Sequence, residues 1–259
     1  MRADRVKMMG CFMDNLSMEE TLQTVDRFIQ EGGPHQHVVL NVDKLVKARR
    51  DLHLRNIINE CHLINVDGMP VVWAARLLGI PLKERVAGVD LFEALMQRAA
   101  LEGWRVFLLG ARDAVVSRVN EIYTRKYPGL VIAGYRDGYW TAGDEPKVVE
   151  QIRQASVDIL FVAISSPKKE QFLARHQEAM QVPFAMGVGG TFDVAAGMIK
   201  RAPVWMQQSG LEWFYRFLQE PRRMFRRYFI EDMAFIAMFG SELLKRPRPS
   251  STTEIDPHA

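Results

Sequence analysis

Short apolar blocks alternate along this chain with stretches in which apolar residues recur every three or four positions. The blocks are HVVLNVD (37–43), LINV (63–66), WRVFLLG (104–110), LVIAGYRDGYW (130–140), DILFVAI (158–164) and PFAMGVGG (183–190). Each has the length and branching of a buried strand. Between them the periodicity predicts helices starting near Met18 and running from Lys44 to Glu60, Val71 to Leu78, Asp90 to Glu102, Asp113 to Tyr127, 144 to 155, and Pro167 to Met180. Ser17 is placed to cap the first, with Glu19 and Glu20 favourable to its dipole. Gly32-Gly33-Pro34, Gly103 and Pro128-Gly129 supply the breaks. Strands alternating with such helices predict an α/β fold, a mostly parallel six-stranded sheet with helices on both faces and right-handed crossovers. The strand order is not encoded in the pattern.

After Gly197 the strands cease. Two or three helices are expected, punctuated by Gly210 and Pro221, and KRPRPSSTTEIDPHA has the composition of a disordered tail. The expected division is therefore an α/β domain over 1–199, a helical appendage over 200–246 and a tail over 247–259.

Charge sharpens that division. The net charge of +3 is uneven, because residues 200–250 carry ten Lys/Arg against five acids, while residues 1–199 are neutral. In the appendage Arg222, Arg223, Arg226 and Arg227 recur at helical spacing among aromatic residues, a pattern suited to an interfacial helix on an anionic membrane surface. Nucleic acid is the competing polyanion, and the neutral body and the Phe/Met-rich 228–240 stretch favour lipid over it. No apolar run reaches the ~18 residues of a spanning helix, and the N-terminus lacks a signal-peptide run. Two isolated cysteines, Cys11 and Cys61, make no disulfide framework. The expected location is cytoplasmic, peripheral to the inner face of the membrane.

The candidate chemistry centres on LINVDGMP (63–70). An apolar strand stops at Asp67-Gly68 and a helix begins at Pro70, so Asp67 stands at the strand end where α/β sheets bind ligands and where a catalytic acid or base would stand. An Asp in such a turn also serves simply to satisfy backbone N–H groups. In ERVAGVDLF (84–92), Asp90 could cap a helix, and Arg85 could pair with Asp67 or clamp a phosphate. SSPKKEQF (165–172) puts Lys168, Lys169 and Glu170 in a first helical turn, where cations oppose the dipole and call for an anion. GVGGTFDVAAG (187–197) is a Gly-rich turn in which Gly189 and Gly190, followed by Asp193, allow close approach of a phosphate or sugar; Gly110 ends another strand. No G-x-G-x-x-G, Walker or G-x-S-x-G pattern is present, which argues against a dinucleotide oxidoreductase, a P-loop NTPase and a serine hydrolase. His35, His37 and His62 lack companions at zinc spacing, so no metal site or cofactor is expected.

In this order the segments resemble the WecG/TagA/CpsF family of bacterial glycosyltransferases (glycosyltransferase family 26). The matching pieces are Asn41, Asp67-Gly68, Arg85 to Asp90, Gly110, Gly134 to Gly138, Pro167 to Glu170, Gly187 to Asp193 with Gly197, Arg201-Ala-Pro203, Gly210 to Trp213 with Tyr215-Arg216, Glu220-Pro221 and Arg227-Tyr228. The resemblance implies a Rossmann-like domain with a membrane-associating helical appendage. It implies an inverting transferase moving a sugar from a UDP-sugar to a polyprenyl-diphosphate-linked saccharide in cell-surface polysaccharide synthesis. Asp67 corresponds to the family's proposed base. Asn41, Arg85 and the Pro-Lys-Lys-Glu helix start would line the donor site, and Arg216, Arg223 and Arg226 would close over the diphosphate once the appendage meets membrane and subunit. A homo-oligomer is left open. Two departures bear on the donor: Val39 stands where the family often has Thr, and Lys169 where it often has Gln. An extra cation would suit glucuronic acid or N-acetylmannosaminuronic acid beside N-acetylmannosamine. The rival reading is a non-catalytic module that binds a nucleotide or anionic lipid and recruits partners. It explains the basic tail but assigns nothing to Asp67 and Arg85.

Overall fold

A computed structural model of the chain describes residues 5–226 and 233–245. It opens with an antiparallel hairpin, β1 (Arg5–Met8) and β2 (Cys11–Asp14), which the sequence pattern did not predict. Its strands are only four residues each and mix polar with apolar positions. The hairpin covers a sheet edge: Asp14 Oδ2 accepts from the backbone N–H of Ile64 at 2.7 Å and Oδ1 from Arg5 at 2.9 Å.

The six apolar blocks form β3 (His35–Leu40), β4 (Leu63–Val66), β5 (Arg105–Gly110), β6 (Val131–Arg136), β7 (Ile159–Ala163) and β8 (Phe184–Gly187). They make one sheet in the order β4-β3-β8-β7-β5-β6, every neighbouring pair parallel, so the sheet is wholly rather than mostly parallel. The helices are α1 (Met18–Glu31), α2 (Val42–Arg50), α3 (Leu52–Glu60), α4 (Met69–Leu77), α5 (Gly88–Glu102), α6 (Asp113–Lys126), α7 (Glu145–Ala155), α8 (Lys168–Met180), α9 (Thr191–Ala195), α10 (Val204–Gln208), α11 (Glu212–Gln219), α12 (Pro221–Arg226) and α13 (Met233–Lys245). Ser17 caps α1 with a full capping box: its hydroxyl accepts from the Glu20 amide and its own amide donates to Glu20. The single helix expected over 44–60 is two. Asp51 takes an extended conformation (φ −119°, ψ 103°) and its carboxylate caps α3 through the Leu54 amide at 3.1 Å. That local bond competes with continuing the helix.

Successive strand residues point to opposite faces. Val106, Leu108, Phe161 and Met186 pack with Phe92 and Leu95 of α5, Val116 of α6 and Phe192 of α9. On the other face Phe107, Leu109, Leu160 and Val162 meet α7 and α8. Val38, Leu40, Ile64 and Val66 meet α2, α3 and α4, where Phe235 of α13 also inserts. The chain therefore leaves β5 and β8 for one face, and β3, β4, β6 and β7 for the other. Where neighbouring strands part in this way, a crevice opens at their C-terminal ends.

Beyond Gly197 the helices pack on this body. Met206 and Met224 are buried, and a side chain at Gly210 (φ +76°) would strike Met69 and Trp73 of α4. Among the described residues no helix is long and apolar enough to cross a membrane. Residues 247–259 lie outside the described residues.

Candidate active site

Asp67 leaves the sheet at the C-terminal end of β4, and Gly68 (φ +101°) turns the chain so that Pro70 falls in the first turn of α4. Its carboxylate is a third exposed: the Gly88 amide donates to Oδ2 at 3.3 Å, and Arg85 Nη1 lies 3.8 Å from Oδ1. Burial pushes its carboxyl above the ordinary aspartate value, Arg85 pulls the other way, and Glu212 adds to the rise. A carboxylate held partly dry, with only one long contact to a cation, is a better proton acceptor than a surface aspartate.

Arg85 does not belong to Asp67 alone. Its Nη1 is 3.3 Å from Glu212 Oε2 on α11. Glu212 Oε1 in turn lies 3.7 Å from Arg201 Nε, and Arg201 grips Asp90 with both terminal nitrogens, Nη2 to Oδ2 at 2.7 Å. Asp90 sits in the first turn of α5 rather than at its cap, which is Ala87. The five side chains form a line of alternating charge.

The turn after β8 is the second group. Gly189 takes φ +55°, Gly190 is exposed, and Arg216 Nη2 and Asp193 Oδ2 each lie 3.9 Å from where a Gly190 Cβ would stand. Beneath the turn Lys169 threads past Gly187, where a Cβ would come within 2.8 Å of its Cε. Lys169 and Glu170 are buried: Glu170 Oε1 lies 3.1 Å from Lys44 Nζ and 3.4 Å from Lys169 Nζ. Burial opposes ionisation of Glu170, yet the two ammonium groups outweigh it and hold the carboxyl to about 2. Burial, aided by Lys44, brings Lys169 down to about 8. Of the two cations at the helix start, Lys169 thus finds its anion in Glu170, which it shares with Lys44 of α2, while Lys168 lines a cavity at the parting of β5 and β7. Asn41 caps α2, its Oδ1 accepting from the Lys44 amide at 3.0 Å.

Third is a cavity of about 840 Å³ at the parting of β5 and β7. Arg136, Lys168 and Arg175 line it beside Asp144 and Glu145, with Arg175 paired to Glu145 at 2.9 Å, and Tyr139, Trp140 and Phe172 give it aromatic walls. Just before its lining residue Ala111, Gly110 (φ +121°) leaves no room for a side chain, since a Cβ would come within 2.6 Å of the Ala163 backbone.

Asp67, Arg85 and Asp90 are thus brought together, Gly189, Gly190, Asp193 and Arg216 form a neighbouring group, Lys168 lines the cavity, and Gly110 lies next to its lining residue Ala111. Arg223 and Arg226 are on α12, and Arg227 lies outside the described residues. Arg201, Glu212 and Arg136 lie in segments that carry the resemblance but were given no site role, and Lys44, Tyr139, Trp140 and Arg175 were not singled out from the sequence. For the cavity, RDGYW at a strand end was the available signal; for Arg201 and Glu212 it was their place in Arg201-Ala-Pro203 and Gly210 to Trp213, which says nothing of their partners. Among the described residues no group of three His, Cys, Asp or Glu side chains is placed to hold a metal ion.

The comparisons agree on one family. The model described as "Glycosyl transferase WecG/TagA/CpsF family" matches residues 6–249. An N-acetylglucosaminyldiphosphoundecaprenol N-acetyl-beta-D-mannosaminyltransferase of Bacillus spizizenii is 35% identical over 214 residues, covering 83% of this chain and 80% of its own. The protein of the same name in Bacillus subtilis is 35% identical over 213 residues, covering 82% and 80%. A match that runs from the hairpin to beyond α13 leaves one conclusion: this chain belongs to the WecG/TagA/CpsF family and is a glycosyltransferase.

Proposed function

We propose that this enzyme transfers N-acetylmannosamine, with inversion, from its UDP derivative to N-acetylglucosamine carried on a polyprenyl diphosphate. The observation that carries the reading is Asp67, a partly dried carboxylate at the C-terminal rim of the sheet with Arg85 beside it. The names of the two Bacillus relatives support the sugar and the acceptor. A uronic acid donor loses its main argument, because Lys169 is committed to Glu170.

The donor lies across the strand ends. Its nucleotide occupies the cavity, stacked on Tyr139 and Trp140 with Arg136 and Lys168 at hand. Three strand spacings, about 14 Å, separate β7 from β4, comparable to the length of an extended nucleotide sugar. The diphosphate then falls at Gly189 and Gly190 under Arg216, and the sugar reaches Asp67. Asp67 accepts the proton of the acceptor hydroxyl as that oxygen bonds to the anomeric carbon. The bond from that carbon to the diphosphate breaks from the opposite side, and its electron pair leaves on the phosphate oxygen. Arg216 and the turn amides stabilise that charge. The protein should form UDP from UDP-N-acetylmannosamine only when a diphosphate-linked N-acetylglucosamine is supplied. Chromatography of the lipid product tests this, and no product with that pair, or faster reaction with UDP-glucuronic acid, contradicts it.

A lipid-linked acceptor supports a place at a membrane surface, and the basic segment 221–227, which opens with α12, is the element proposed to hold the enzyme there. Replacing Arg222, Arg223, Arg226 and Arg227 by Gln should weaken partition onto phosphatidylglycerol vesicles at least about tenfold, since each basic residue near an anionic surface contributes roughly 1 kcal/mol. Unchanged sedimentation with vesicles would reject that assignment.

A further inference from the structure

Glu212 has no part in the transfer as derived above, yet it touches more of the site's charge than any substrate-facing residue. It sits at the start of α11, a quarter exposed, with one oxygen toward Arg201 and the other toward Arg85. Arg201 is itself fixed by its two bonds to Asp90. The result is unequal sharing of one guanidinium: Arg85 Nη1 stands 3.3 Å from Glu212 and 3.8 Å from Asp67. An arginine beside a lone aspartate would close to a direct ion pair, quenching the carboxylate as a base and covering the oxygen that an acceptor hydroxyl must reach.

We propose that Glu212 is a positioning residue for the Asp67 base: anchored through Arg201 to Asp90, it draws Arg85 off Asp67 and keeps that carboxylate free to take a proton. This rests on the reading of Asp67 as the base. The charged and polar groups facing Asp67 are Arg85, the Gly88 amide at the start of α5, Glu212 and Arg216 of α11, and Arg201, whose own charge is neutralised by Asp90. Glu212 raises the proton affinity of Asp67, and Arg85 is the chief opposing charge. Glu212→Gln keeps the shape of the side chain while surrendering its hold on Arg85.

The test follows the Asp67 carboxyl by carbon NMR across pH in the full-length protein, beside the pH profile of kcat/KM. In Glu212→Gln the Asp67 midpoint should fall by at least about half a pH unit, as expected when a like charge leaves and an opposite one closes in. The acid limb of kcat/KM should move down with it, and the plateau rate should drop, because a weaker base remains. Glu212→Asp, which keeps the charge, should restore most of the wild-type profile. It also guards against a Gln variant that is merely misfolded. An Asp67 midpoint that stays put or rises in Glu212→Gln overturns the proposal, as does a Glu212→Asp profile no closer to wild type than that of the Gln variant. A midpoint that falls while the rate profile stays fixed overturns it from the other side, by showing that Asp67 is not the base.

Discussion

Glu170→Gln should be among the most destabilising single substitutions in this protein, while Lys169→Gln, one residue away, should cost little. Lys44, Lys169 and Glu170 are all buried, two cations around one carboxylate. Removing the carboxylate leaves two ammonium groups without a counter-charge in a dry site, and breaking a buried pair in this way costs about 3–5 kcal/mol. For a chain of this size that lowers the melting temperature by on the order of 10 °C. Removing Lys169 instead leaves a one-to-one pair of Lys44 and Glu170, with Lys44 also donating to the Val39 carbonyl at 2.8 Å. The pH dependence has a definite sign. Glu170 is held to about 2 against an ordinary 4.5, so its stabilisation is complete above 4.5 and is lost as the pH falls toward 2. Lys169 is depressed to about 8, so its cost is present below 8 and is relieved as the pH rises toward 10.5. Calorimetric melts should therefore show the gap between wild type and Glu170→Gln narrowing from pH 4.5 to pH 2. Equal losses from Glu170→Gln and Lys169→Gln would contradict this account.

The same triad shows where reading the sequence stops. Pro167-Lys-Lys-Glu170 announces a helix start with unbalanced charge, and the turn after β8 announces glycine, because both signals are local. That Glu170 sits below the turn between Lys169 and a second ammonium is not local, because Lys44 arrives on α2 from another part of the chain. Asp67 was legible because an apolar strand, an Asp-Gly turn and a helix-starting proline fall within eight residues of one another (63–70). The pairing of Arg201 and Glu212 was not legible, since their partners lie 111 and 127 residues away in the chain and only the tertiary packing brings them together. The six strands carried a clear apolar pattern, whereas their order depends on contacts between distant segments. The hairpin of β1 and β2 was missed because strands that short, half polar, carry too little periodicity to register.

Asp67→Asn should bind UDP-N-acetylmannosamine nearly as well as wild type and turn it over at least about a hundredfold more slowly, the range in which a positioned general base contributes being about 10²- to 10⁴-fold. The substitution keeps the side chain's size and an oxygen able to accept from the Gly88 amide. It removes the negative charge and the capacity to hold the acceptor's proton. In the proposed pose the donor is held by the cavity, three strand spacings from β4, and by the glycine turn after β8, two spacings away, so its affinity has little reason to change.

Asp67 taking the acceptor's proton is the claim on which the rest turns, and it is tested most directly by measuring kcat for wild type and Asp67→Asn at saturating donor and lipid acceptor, with UDP affinity by calorimetry on the same preparations. A collapse of kcat with UDP affinity intact is the predicted result. A variant that turns over within a few-fold of wild type would contradict it.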